Sequence, residues 1–381
     1  MEAQNTKKDT VLWATSLSKV VSTHPMGIFI SRSFGDFGAK KKGAALHFEY
    51  GMGNIWLPKT TAYYPTNDAD KAEAEKYPWH FRGHKNLQNP DSISFQADGV
   101  LRTYRFTYDF PIATHQHLAV TAKMYSLDGG EFPFSAISSD RFIEWFHSNV
   151  AGGEDPFARK QYPLNQALIE YTDANGKEMT IKQGDIGLSG IELNYQYQLP
   201  SEWLVKNGFA IQGNVMFGIN TSSFNRSIDN GVGILGTKDF AIANRTVIRL
   251  GGSGEIVRLN SFNSKTAVDL FDVSRISQLA SFAGWERTLK NNNKLSISYL
   301  FRMQSSYHNE DKKETYALAG SRAVSHWHYA ISHLYQKTYG NSLIVAYLRK
   351  QLNYSVYIRQ DLRKVDNSPD IQTGMSISYR I

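Results

Sequence analysis

Two stretches of the chain carry residue types that could do acid–base or nucleophilic chemistry. His147-Ser148-Asn149 sets an imidazole, a hydroxyl and an amide side by side. Lipid hydrolases build a nucleophile and its base from such groups. Neighbours on one helix point about 100° apart, so these three do not face each other. His326, His328 and Ser332 have even spacing instead. In a strand they share one face, opposite Trp327, Tyr329 and Ile331. Two histidines at i and i+2 can also ligate a metal, but no third ligand can be assigned. Their reading is polar lining of an interior face. Gly251-Gly252 lacks the following helix and lysine of a phosphate-binding loop. A non-enzymatic chain is the preferred reading, a lipid-modifying hydrolase stays open behind it, and no cofactor or metal site is expected.

The elements that would position such residues are strands. In the terminal stretch, Leu352, Tyr354, Val356 and Ile358 fall on one side, and Asn353, Ser355, Tyr357 and Arg359 on the other. After Asn367-Ser368-Pro369-Asp370 the pattern resumes, with Met375, Ile377 and Tyr379 against Ser376, Ser378 and Arg380. Period two with one apolar and one wet face is the signature of a half-buried strand. It recurs at Ala44–Tyr50, Val100–Phe110, Leu118–Met124, Ile191–Leu199, Phe209–Ile219 and Leu295–Met303. Ile28–Phe34, Ile242–Leu250, Ile276–Leu289, Val324–Gln336 and Leu343–Leu348 are further extended candidates. Strands of roughly ten residues suit a tilted bilayer crossing better than a soluble sandwich.

Composition permits that reading and narrows the others. The chain has 381 residues, yet no linker divides it. Hydrophobic residues make up 41% and mean hydropathy is −0.41. No apolar run approaches the roughly 20 residues of a membrane helix. A barrel escapes that requirement, because only alternate residues meet lipid. Aromatics are abundant, with Tyr 21, Phe 21 and Trp 7, which suits interfacial girdles. Cysteine is absent, which excludes disulfides and thiolate metal sites. The net charge of +7 is dispersed rather than gathered in a stripe, which argues against nucleic-acid binding. Met1 to Val21 lacks the apolar core of an export signal, so a signal removed earlier is presumed.

Two segments break the strand rhythm. Asn54 to Ser92 reads as a long loop after Gly51-Met52-Gly53 ends a strand. The excursion 128–185 contains a candidate helix, Arg141 to Val150, capped by Ser139 or Asp140 and stopped by Gly152-Gly153. Phe142, Ile143, Trp145 and Phe146 need burial worth about 1.5–3 kcal/mol each. Together with Glu144 and His147 they would form a plug at the barrel mouth or a docking surface.

Phe142-Ile143-Glu144, Phe146-His147 and Gly152-Gly153, with Asp361-Leu362, Pro369-Asp370 and Gly374 to Ile381 near the end, resemble motifs of one family. It is a group of uncharacterised Gram-negative proteins, classed as a domain of unknown function and thought to form outer-membrane barrels. The resemblance implies a barrel and an outer-membrane location, and no activity. Gln360 departs from the acidic residue usual there.

The expectation is therefore an all-β chain. A single antiparallel transmembrane β-barrel of about 12–14 strands, with long external loops and one short helix, would occupy 26–381 behind an N-terminal extension at 1–25. Arg105, Lys123, Glu192, Gln196, Arg302, His326, His328, Arg359 and Arg380 would line the lumen. An excess of positive groups there would favour small polar or anionic solutes in a porin-like channel. The alternatives are a scaffold binding other envelope proteins, and a lipid-modifying barrel hydrolase. The partners expected are outer-membrane lipid and other envelope proteins. With Ile381 on the periplasmic side, Lys350-Gln351 and Asn291–Asn293 would be periplasmic turns, and Lys364–Asp370 external.

Overall fold

A computed structural model describes residues 43–63, 92–129, 145, 149, 167–172, 178–222, 226–261, 275–305, 317–318, 337–361 and 371–381. Its strands are β1 (Ala45–Tyr63), β2 (Ser92–Ala113), β3 (Gln116–Asp128), β4 (Leu168–Thr172), β5 (Glu178–Lys182), β6 (Ile186–Gln198), β7 (Phe209–Asn220) and β8 (Ser227–Ala243). They continue with β9 (Thr246–Ser261), β10 (Arg275–Thr288), β11 (Lys294–Gln304), β12 (Ala317–Leu318), β13 (Thr338–Arg349), β14 (Leu352–Asp361) and β15 (Ile371–Arg380). One short helix, α1 (Glu202–Lys206), joins β6 to β7.

Strand β1 pairs antiparallel with β2 on one side and β15 on the other, so the sheet closes on itself. The closed ring is a 12-strand antiparallel barrel. Closure satisfies every edge, which an open sheet of this size would leave exposed. β4 and β5 extend the sheet from the far part of β2, and β12 adds to the far end of β1. No helix among the described residues is long and apolar enough to cross a membrane.

Consecutive antiparallel strands send alternate connections to opposite ends. Ala45, the β2–β3 turn, α1, the β8–β9, β10–β11 and β13–β14 turns and Ile381 gather at one end. Backbone bonds tie this rim together: Ile381 N donates to Ala44 O at 2.9 Å and Thr288 N to Arg245 O at 2.7 Å. The longer connections leave from the other end. Thus Lys350-Gln351 and Asn291–Asn293 share an end with Ile381, opposite Asp361 and Ile371.

The structure corrects four readings of the sequence. Ile242–Leu250 is not one strand, because the chain turns at Asn244-Arg245 between β8 and β9. The first strand does not stop at Gly51-Met52-Gly53; β1 runs on to Tyr63, and β2 begins at Ser92 rather than near Val100. Glycines interrupt a periodicity argument without interrupting the ladder, since Gly51 and Gly53 stay paired with Thr103 and Leu101. The excursion after Asp128 is not free of strands, because β4 and β5 lie within it. The helix α1 arises at Ser201-Glu202-Trp203, where none was expected. Its start is set by Ser201, whose Oγ accepts from Leu204 N at 3.4 Å. Of the expected helix over 141–150, only Trp145 and Asn149 are described; both are helical, and Asn149 Nδ2 donates to Trp145 O at 2.8 Å. Ile28–Phe34, Val324–Gln336 and the N-terminal extension lie outside the described residues.

The distribution of polarity is inverted relative to a water-soluble barrel. Phe106, Phe217, Val232, Ile234 and Val356 face outward and are exposed, Phe217 at 55% and Val232 at 57%. The alternating partners inside, such as Glu49, Glu192, Asn220, Asp229 and Ser296, are buried. A continuous outward apolar belt of this extent would be very unfavourable against water.

Candidate functional site

Among the described residues, the interior wall gathers the chemically capable groups. Arg105, on the inward face of β2, stands directly beside Glu49 of β1 and Lys123 of β3 in register. Arg105 Nη2 donates to Glu192 Oε2 at 2.5 Å, reaching across β3 to β6. Its Nε lies 3.3 Å from Glu49 Oε2. Lys123 Nζ lies 3.3 Å from Glu192 Oε1 and donates to Asn220 Oδ1 at 3.1 Å. Asn220 Nδ2 in turn donates to Asp229 Oδ2 at 2.6 Å and to Ser227 Oγ at 2.9 Å. One charged girdle thus runs from β1 to β8. A glycine makes the crossing possible. Gly190 sits in register with both Lys123 and Asn220, and a Cβ there would run into Ile219 O and Asn220.

Further pairs brace the wall nearer the short-connection end. Arg249 holds Asp239 through Nε and Nη2. Lys294 Nζ lies 3.2 Å from Glu286 Oε1. His117 Nδ1 lies 2.9 Å from Asp109 Oδ1, and His47 Nδ1 2.8 Å from Ser378 Oγ. Of these, Asp109, His117, Arg249 and Glu286 are buried, where an unpaired charge would be costly.

The other half of the wall is different. Leu235, Ala280, Phe282, Leu300, Ile344 and Tyr357 form an apolar cluster from β8 to β14. Tyr357 faces Gly374 in register on β15, and any side chain at Gly374 would collide with its ring. Leu300 and Ile344 are each 1% exposed, so no broad water-filled bore passes over them. Arg302 and Arg359 lie beyond this cluster toward the long-connection end, and Arg380 toward the other.

Of the residues anticipated as lumen lining, Arg105, Lys123, Glu192, Gln196, Arg302 and Arg359 lie on the inward face, where all are buried except the partly exposed Arg105. Arg380 lies on the same face, partly exposed. His326, His328, Phe142, Ile143, Glu144, Phe146 and His147 fall outside the described residues; Trp145 is described and exposed. Sequence reasoning missed the inward acids Asp229, Asp239, Glu255 and Glu286. With them, positive charge is not in general excess among the described inward side chains. A signal was present, since Ile228, Val232 and Ile234 alternate with Asp229, Gly231 and Gly233. Glycines blurred the polar half of that pattern.

No family model matches the chain, and no curated protein matches it. The motif resemblance at 142–153 and 361–381 therefore rests without family support. Solved structures give only distant similarity. An outer membrane channel from Pseudomonas putida F1 shares 9% identity, covering 92% of this chain and 100% of its own, with a TM-score of 0.39. LpxR from Salmonella typhimurium shares 9% over 88% of this chain and 100% of its own, with a TM-score of 0.38. The β domain of the Bordetella autotransporter BrkA shares 6% over 89% and 100%, with a TM-score of 0.37. At these values no residue role passes from them to this chain.

Proposed function

We propose that the chain spans an outer membrane as a narrow channel for small polar solutes, with preference for anions. The carrying observation is the inverted wall: apolar side chains exposed outside, and a polar interior to which the β11–β15 side contributes Arg302, Arg359 and Arg380. An outward apolar belt suits lipid, and a cationic strip attracts anions where water is scarce. The buried girdle and the apolar cluster both narrow the bore, so unitary conductance is small rather than porin-sized. No catalytic role is assigned to the His47–Ser378 or His117–Asp109 pairs; they brace strands.

The test is reconstitution in a planar bilayer under a salt gradient. The reversal potential should indicate anion preference, and Arg302→Ala with Arg359→Ala should move it toward zero. A reversal potential unchanged by both substitutions would remove the cationic strip from the account. Absence of any conductance in a heat-modifiable, folded sample would leave a closed barrel. A second reading, a scaffold for envelope proteins, is favoured by the β4–β5 hairpin, which prolongs the sheet beyond the barrel wall. A stoichiometric protein retained on purification from native membranes, and lost on deleting 168–182, would support it.

A further inference from the structure

We infer that the short-connection rim is a binding surface for anionic phospholipid headgroups, with α1 as its membrane anchor. This deepens the membrane reading above and rests on it. The helix α1 has no buried residue. Trp203 and Val205 are 65% and 66% exposed, an unusual position for large apolar groups in water. Trp203 stacks on Phe209, ring centroids 6.1 Å apart and planes at 9°. Lys238 Nζ lies 3.9 Å over the Phe209 ring and 5.6 Å from that of Phe240. The same ammonium donates to Asn207 O at the end of α1. Exposed Phe240 and Ile242 continue the patch along β8 into the outward apolar belt. Aromatic rings beside lysines, with one side in hydrocarbon and the other in headgroups, are what a bilayer interface favours.

The charge of the rim points to the class of headgroup. Lys206, Arg245, Arg287, Lys290, Arg349 and Lys350 are exposed at this end. Among the described residues, Glu202 is the exposed acidic side chain facing them. Two of these basic residues occupy backbone positions that favour glycine: Arg245 has φ 125° and Lys350 φ 54°. Phosphate diesters bearing a net negative charge complement this ring, and continuity with the lipid-facing belt places them beside it.

The test refolds the full chain into vesicles of phosphatidylcholine alone and of phosphatidylcholine with phosphatidylglycerol. The lipid retained after transfer to a neutral detergent is then measured by native mass spectrometry. Phosphatidylglycerol should be retained in preference to phosphatidylcholine. Lys206→Ala and Lys350→Ala should each lower that retention about 5-fold, while Lys182→Ala at the opposite end should not. Trp203→Ala should reduce retention of both lipids. Insertion into both vesicles with no headgroup preference, or Lys182→Ala matching the rim variants, would overturn the inference while the membrane reading stands. Failure to enter either vesicle would overturn both.

Discussion

The two halves of the interior wall are both buried, yet they are held by different physics. From β1 to β8, order comes from a chain of charge-assisted bonds, Glu49–Arg105–Glu192–Lys123–Asn220–Asp229. From β8 to β14, it comes from the packing of Leu235, Phe282, Leu300, Ile344 and Tyr357. The first half fixes which strand stands beside which, because each charge has a specific neighbour. The second fills volume. A barrel closed by side chains can use either device; here the two lie side by side. The difference predicts that single substitutions fail in different ways in the two halves.

The largest effect is expected at Glu192. It is 2% exposed and sits between two cations. Glu192→Ala leaves Arg105 and Lys123 facing one another in the interior, a loss of about 3–5 kcal/mol. Urea unfolding of the refolded barrel measures it. Replacing Glu192 and Lys123 together should recover part of the loss, which would separate charge imbalance from lost packing. A single variant as stable as the parent would show that water already enters the girdle.

Leu300→Ala tests the other half. Removing a fully buried leucine side chain costs about 2–5 kcal/mol, according to how far its neighbours relax. Unlike Glu192→Ala, it should leave ion selectivity unchanged and raise conductance, because it opens volume without altering charge. Gly374→Ala acts in the opposite sense on the same cluster. The added methyl meets both the Tyr357 ring and the backbone oxygen of Tyr50, so ring and strand must both shift, at about 1–3 kcal/mol. Adding Tyr357→Phe tests the clash: the ring persists without its hydroxyl, so the penalty should remain. If the penalty vanished, the Tyr357 hydroxyl rather than the ring would set the fit.

Much of the fold was legible because the outward face is cleanly apolar. Leu352, Tyr354, Val356 and Ile358 announce their strand, and β14 places them outward as expected. The inward face is harder to read, since it mixes glycine, serine, charged and apolar residues. Phe282, Leu300 and Ile344 point inward beside outward Leu279, Tyr299 and Val345, so alternation fades where the interior itself turns apolar. For the site, individual inward residues such as Arg105 and Glu192 followed from period two. Their pairing did not. Arg105 and Glu192 are 87 positions apart, and only strand order across β3 brings them together. The partial neutralisation of the cations was likewise hidden, because Asp229 and Glu255 stand in glycine-rich strands.

The smallest effect is expected where the two halves meet. Ser355 and Ser376 are directly opposed on β14 and β15, with hydroxyl oxygens 2.6 Å apart and both side chains buried. Ser355 also stands in register with Ala346 beside the apolar cluster, and Ser376 with Glu49 of the girdle. Either alanine substitution alone strands one hydroxyl, at about 1–3 kcal/mol. Removing both leaves no polar group unsatisfied, so the double variant should return close to the parent, and the cycle should give a coupling of similar size. If the double variant instead loses the sum of the singles, each serine is bound to its own half rather than to the other. Ser376 would then belong to the Glu49 girdle and Ser355 to the apolar cluster, and the boundary between the two physics would be a clean break at the β14–β15 seam.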